Sequence, residues 1–208
     1  MNIGKFMLAI ILGSTFIISC TKEKTPVVVP LTSHTAKDIQ ADTLNTGHYT
    51  FFNLKDGIVI PLSDSATTKW DIGFRGTTII FNGGTSGPGA GGAFMYNGLF
   101  TDLTTIPNDS TFRQDNGTTL AIAAISGEGW YNYTGTTSTP NHAILPIPGK
   151  VIVIKTADGK YAKLEILSYY KGNPDTSTPE FADLATRPQS KLYTFNYVYQ
   201  PDGSTELN

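Results

Sequence analysis

Cys20 is the only cysteine of the chain, and its setting names a chemistry. It follows Ile17-Ile18-Ser19, where an apolar run from Phe6 to Ile18 stops. An aliphatic residue three places before the junction, a small one directly before it and cysteine after it form the pattern of a bacterial lipoprotein signal. The thiol is therefore expected to be acylated with palmitate-type chains as the first residue of the mature protein, once residues 1–19 are removed as signal peptide. Buried acyl methylenes contribute about 0.8 kcal/mol each, so two or three chains make a stable anchor. The apolar run itself is shorter than the roughly 20 residues a spanning helix needs. The alternative is a buried free thiol at a chance position. A single cysteine also excludes an intrachain disulfide and zinc centres of the Cys₄ or Cys₂His₂ type.

Other reactive groups are scattered. The three histidines, His34, His48 and His142, belong to no H-E-x-x-H helix, and the chain has no G-x-S-x-G elbow. A carboxylate pair such as Asp71 with Glu165 would serve acid–base work only if both converged in space; the ordinary alternative is solvated surface charge. The glycine-rich stretch from Asn82 to Ala93 lacks the lysine of a phosphate-binding loop, and no helix follows it. It reads as a shaped connection between strands. Fifteen lysines and arginines against 17 acidic residues leave no cationic excess for a nucleic-acid backbone. No local motif argues for an enzyme.

The elements that must position these groups are strands. In a chain of 208 residues with 21 Gly, 10 Tyr, 11 Phe and 15% charged residues, the expected class is all-β: a single domain of antiparallel strands and hairpins with little helix. Residues 20–42, with Pro26 and Pro30 around a valine run, are expected to be a lipidated N-terminus and linker, and residues 43–208 the domain. Tyr49–Leu54 and Gly57–Pro61 flank Lys55-Asp56-Gly57 as a hairpin. Trp70–Arg75 alternates, with Trp70, Ile72 and Phe74 on one face, and Thr77–Phe81 continues the sheet. Val151–Lys155 and Tyr161–Leu167 flank Asp158-Gly159, the strongest hairpin signal of the chain. Tyr193–Tyr199 places four aromatic rings on one face. One short helix is expected near Phe181–Ala185, after Pro179.

Several of these segments together resemble a known family. Lys69-Trp70-Asp71-Ile72-Gly73-Phe74-Arg75, the loop from Asn82 into Gly91-Gly92-Ala93, Gly129-Trp130, Ala157–Lys163 and Tyr193–Tyr199 occur in the order and spacing of the HmuY-like haem-binding lipoproteins of Bacteroidota. The resemblance spans roughly Thr43 to Tyr199. It implies an all-β domain of the HmuY-like type, lipid-anchored at the outer membrane and on the cell surface. It further implies haem as the bound cofactor, and delivery of that haem to a TonB-dependent outer-membrane receptor for iron acquisition.

In the best-known branch of that family the haem iron sits between two histidines. Aligned on Gly129-Trp130, the second falls near Thr134-Gly135-Thr136, and Asn108–Gly129 holds neither His nor Met where the first would be. Some relatives appear in the family with methionine instead, so the axial-ligand candidates left by the resemblance are His142 and Met95. Trp130, Tyr131 and Tyr133 are the candidates for stacking on a porphyrin face. Each has a plainer role open to it: Met95 as a core gap-filler, His142 as a solvated loop residue, and the three aromatics as sheet residues. A surface lipoprotein that keeps the fold without haem ligation, binding another small ligand or a protein, is the alternative function.

Overall fold

The structure, a computed structural model, describes Met1 and residues 31–208. The signal segment and Cys20 lie outside the described residues. In chain order the strands are β1 (Ser33–Gln40), β2 (Thr50–Asn53), β3 (Ile58–Ile60), β4 (Ile72–Arg75), β5 (Thr78–Phe81) and β6 (Gly92–Asn97). They continue with β7 (Tyr131–Tyr133), β8 (Ile144–Pro146), β9 (Lys150–Lys155), β10 (Tyr161–Tyr170) and β11 (Ser190–Gln200). One short helix, α1 (Pro179–Ala182), is capped by Thr178, whose hydroxyl accepts from Phe181 N–H. The strands form a five-stranded sheet ordered β1-β11-β10-β9-β6, a four-stranded sheet ordered β3-β2-β4-β5 and the pair β7-β8, all antiparallel. The expected all-β class is what the chain adopts.

Aromatic rings join the two larger sheets. Phe195 of β11 meets Phe52 edge-on with centroids 5.4 Å apart, and Phe74 lies 4.7 Å from Tyr193. Such pairs add to the burial of two large rings and set their angle. The five-stranded sheet is covered on its other face too. Val151, Val153 and Val198 pack there with Phe100, Leu103, Ile106 and Leu207, while Ile152 and Ile154 face the main core. Coverage on both faces explains why β9 reads as an unbroken apolar run rather than an alternating one. The outer face of the four-stranded sheet carries a smaller cluster of Phe51, Ile60, Trp70 and Ile80.

The long strands give the molecule two poles. At one, the chain enters: the His34 ring stacks on Tyr197 at 5.4 Å, and a Cβ placed on Gly57, in the β2–β3 turn, would stand 2.8 Å from the Tyr197 hydroxyl. The β9–β10 turn belongs to this entry pole, because Tyr161 pairs with both Lys155 and Gln200. Gly159 in that turn has φ of 81°, as the Asp-Gly signal requires. At the far end of β10, Tyr170 pairs with Ser190 and its hydroxyl accepts from Ile144 N–H. Ten residues at about 3.3 Å each separate the poles by roughly 30 Å.

One expectation needs correction. Part of the segment assigned to the linker, Ser33–Gln40, is β1, hydrogen-bonded along β11 from Ser33↔Val198 to Gln40↔Leu192. The pairing shifts register between Ala36 and Ile39, and Asp38 within the shift has φ of 55°. That bulge breaks the two-residue period, which hides the strand in the sequence.

Candidate functional site

His142 stands at the far pole, in the loop joining β7 to β8. Its backbone N–H donates to Gly135 O at 2.7 Å, and Arg187 Nη1 donates to its carbonyl at 3.2 Å. The same guanidinium donates to the Phe181 and Ala182 carbonyls and lies 4.9 Å over the Phe181 ring, so it fastens this loop to α1. The imidazole is exposed. Its Nδ1 lies 2.6 Å from the Tyr133 hydroxyl, and among the described residues its Nε2 has no partner. When Nδ1 carries the proton and donates to Tyr133 Oη, the lone pair sits on Nε2 and points away from the contact. A ring held that way is a donor for a metal.

The other candidates divide by burial. Tyr133 is 46% exposed and is the residue that holds His142. Trp130 is 2% exposed: its indole N–H donates to Thr77 O at 3.0 Å, and its rings lie 4.9 to 5.8 Å from those of Tyr131, Tyr193 and Tyr169. Tyr131 is buried too, donating to Ala124 O. Neither offers a face to a porphyrin; both take the structural alternative and form the floor beneath β7. Met95 sits in β6, an edge of the five-stranded sheet, paired with Ile152 and packed half-buried against the main core. The structure places Met95 in the five-stranded sheet and His142 in the loop of the β7-β8 pair.

The carboxylates do not converge on shared work. Asp71 is 4% exposed and accepts from Leu54 N–H at 2.8 Å and Ala157 N–H at 3.0 Å. Burial pushes its pKa up, against the pull of those two amides. Glu165 accepts instead from Asn196 Nδ2. Asp115, which the sequence does not single out, likewise ties Phe81 and Ala121 amides in a buried position. Among the described residues no group of three His, Cys, Asp or Glu is arranged to hold a metal ion.

Two cavities flank these elements. One of about 820 Å³ is walled by Asn132, Thr134, Leu145, Glu165 and Asp175 among others, beside the β7–β8 pair. Tyr133, alternating with Asn132 and Thr134, points to the other face of β7, so His142 is next to this cavity but does not line it. The other, of about 730 Å³, lies over Tyr49 and Phe51, with Thr85, Ser86 and Gly87 on its rim. The glycine loop at its rim is a structural connection, as expected. Buried Asn82 donates to Thr67 and Trp70 carbonyls and accepts from Gly89 N–H, and a Cβ on Gly83 would stand 2.0 Å from Gly91 O.

Comparison with known proteins places these features. None of the curated proteins matches the chain. The fold matches an apo HmuY analogue of Tannerella forsythia at 18% identity and TM-score 0.50, over 83% of this chain and 97% of that one. It also matches a candidate HmuY-like haem-binding protein of Bacteroides vulgatus at 18% identity and TM-score 0.52, over 82% and 93%. A third match is a candidate lipoprotein of Bacteroides fragilis, at 18% identity and TM-score 0.50, over 81% and 91%. Identities this low speak for the fold. The model of the HmuY protein family matches residues 45–182, two-thirds of the sequence, and the chain belongs to that family.

Proposed function

We propose that the protein is a haem-binding surface lipoprotein, acylated at Cys20 and held at the outer membrane, that captures haem and passes it to a TonB-dependent receptor. One observation carries the reading: on a fold of this family, an exposed imidazole at His142 is oriented through Nδ1 by Tyr133 and leaves Nε2 open. His142 would hold the iron of a bound haem through Nε2, and the group would supply a metal centre that accepts a nitrogen ligand. Tyr133 fixes the plane of the ring through Nδ1, and Arg187 fixes the backbone that carries it. Trp130 and Tyr131 keep β7 rigid from below, so the ring is pre-positioned. Met95 in this reading is core packing, because ligation would require its thioether to leave the sheet face it covers.

The test is titration of haemin into the chain from residue 20 with Cys20→Ser, in ferric and ferrous states. The expected result is a saturable Soret shift that His142→Ala weakens and Met95→Leu leaves in place. A titration showing only nonspecific association would favour the alternative, a member of the family that binds another small ligand or a protein partner. Loss of the ferrous complex in Met95→Leu alone would return the ligand role to the thioether.

A further inference from the structure

The entry pole carries an apolar surface that the far pole does not explain. Ile58 and Val59 of β3 are 51% and 50% exposed, and Leu62, two residues past the strand, is 47% exposed. β3 is an edge of its sheet, so Ile58 and Val59 stand out on the two sides of that edge, Val59 opposite Phe52 and Ile58 on the face of Ile60, and with Leu62 they make the edge beside the β2–β3 turn an apolar strip. That turn touches the chain entry, through Gly57 beside the Tyr197 hydroxyl and His34 stacked on the Tyr197 ring. The strip therefore lies at the same pole as the chain entry, where Leu31 packs on the outer face of the five-stranded sheet. Residues 21–32 cannot span more than about 40 Å even when fully extended, so the chain entry stays within that distance of whatever holds Cys20.

We infer that Ile58, Val59 and Leu62 rest on the lipid leaflet in which Cys20 is anchored, so that the entry pole faces the membrane and the His142 pole faces outward. This rests on acylation of Cys20. A short tether holds the strip at high effective concentration near the lipid, so a small apolar contact suffices. β3 is only three residues long and is followed by Pro61, which makes it a poor template for an added strand and favours side-chain contact with lipid. Nearby charges are of both signs: Lys55 and Asp56 are exposed in the turn, and Lys69 pairs with Asp64 at 3.1 Å. The contact is therefore apolar in character and insensitive to salt. Its consequence is geometric, since a site roughly 30 Å from the entry pole is presented to the medium.

The experiment uses the full acylated chain in phosphatidylethanolamine–phosphatidylglycerol vesicles, with the acyl mass on Cys20 verified first. An environment-sensitive fluorophore is placed at Val59→Cys or at Leu184→Cys, an exposed position beside α1 at the far pole. Spin-labelled lipid should quench the probe at 59 several-fold more than the probe at 184, equally at low and high salt. Equal quenching at both positions overturns the inference. A probe at 59 that is shielded from water yet unquenched also overturns it, because the strip is then covered by protein, whether Val27–Val29 of the tether or a second copy. A chain without acyl groups at Cys20 defeats the anchor reading itself, and this inference with it.

Discussion

The two poles of the molecule are built on opposite principles. At the entry pole, buried polar groups clamp backbone to backbone: Asp71 ties the β2–β3 turn to the β9–β10 turn, and Asn82 ties the glycine loop to Trp70. At the far pole, above the buried ties of Trp130 and Tyr131, Tyr133 and His142 engage each other at the surface and leave one ring nitrogen open. A hydrogen bond made in the interior is expensive to lose, because its partners stay dry and unsatisfied; one made at the surface can be exchanged with water. The first arrangement makes a scaffold. The second makes a site that is shaped without being sealed.

The comparison breaks most sharply at Asp71. Asp71→Ala orphans two buried amides and is expected to cost about 4 kcal/mol in urea unfolding, with little change at the far pole. The sign of its pH dependence follows from burial, which raises the folded-state pKa of this carboxyl. The native state then holds its proton longer than the unfolded chain, so this group's contribution is full below the ordinary carboxylate range. It declines as pH rises through that range to the raised value. Asp71→Asn should remove that part of the pH slope of stability.

A smaller loss is expected at Gly83, also in the entry-pole clamp. The added methyl of Gly83→Ala would meet the Gly91 carbonyl oxygen at 2.0 Å, so the loop must shift at a cost of about 2–3 kcal/mol, read as a lower denaturation midpoint at unchanged slope. At the far pole, Tyr133→Phe removes the hydroxyl that orients the imidazole. Haem affinity should fall roughly ten-fold while stability changes by less than about 0.5 kcal/mol. Least of all in stability is His142→Ala, within about 0.5 kcal/mol of the parent, since the ring is exposed. A large destabilisation there would erase the contrast between the poles.

How much of this was readable in the residues depends on which force set each element. The hairpin around Asp158-Gly159 and the aromatic strand Tyr193–Tyr199 were legible, because turn chemistry and two-residue alternation are local. The short helix was expected at Phe181–Ala185 and forms slightly earlier, at Pro179–Ala182, where Thr178 caps it. β1 was not, because Ser33–Gln40 has only two apolar residues and a bulge puts them out of step. The burial of Asp71 and Asp115 was also hidden, since their partners are backbone amides 17, 86, 34 and 6 residues away that no side-chain pattern announces. At the site, His142 was legible as a candidate, but its partnership with Tyr133 depends on β7 and β8 pairing Tyr133 with Ile144. Trp130 and Tyr131 carried the same aromatic signal as Tyr133, and only burial separates floor from site.

The open nitrogen of His142 is read directly by low-temperature electron paramagnetic resonance of the ferric haem complex. With ¹⁵N-histidine in the chain, the account predicts nitrogen hyperfine coupling from an imidazole on the iron in the parent protein, and its disappearance in His142→Ala. Coupling that persists in His142→Ala, or a ferric complex that shows none in the parent, would contradict it.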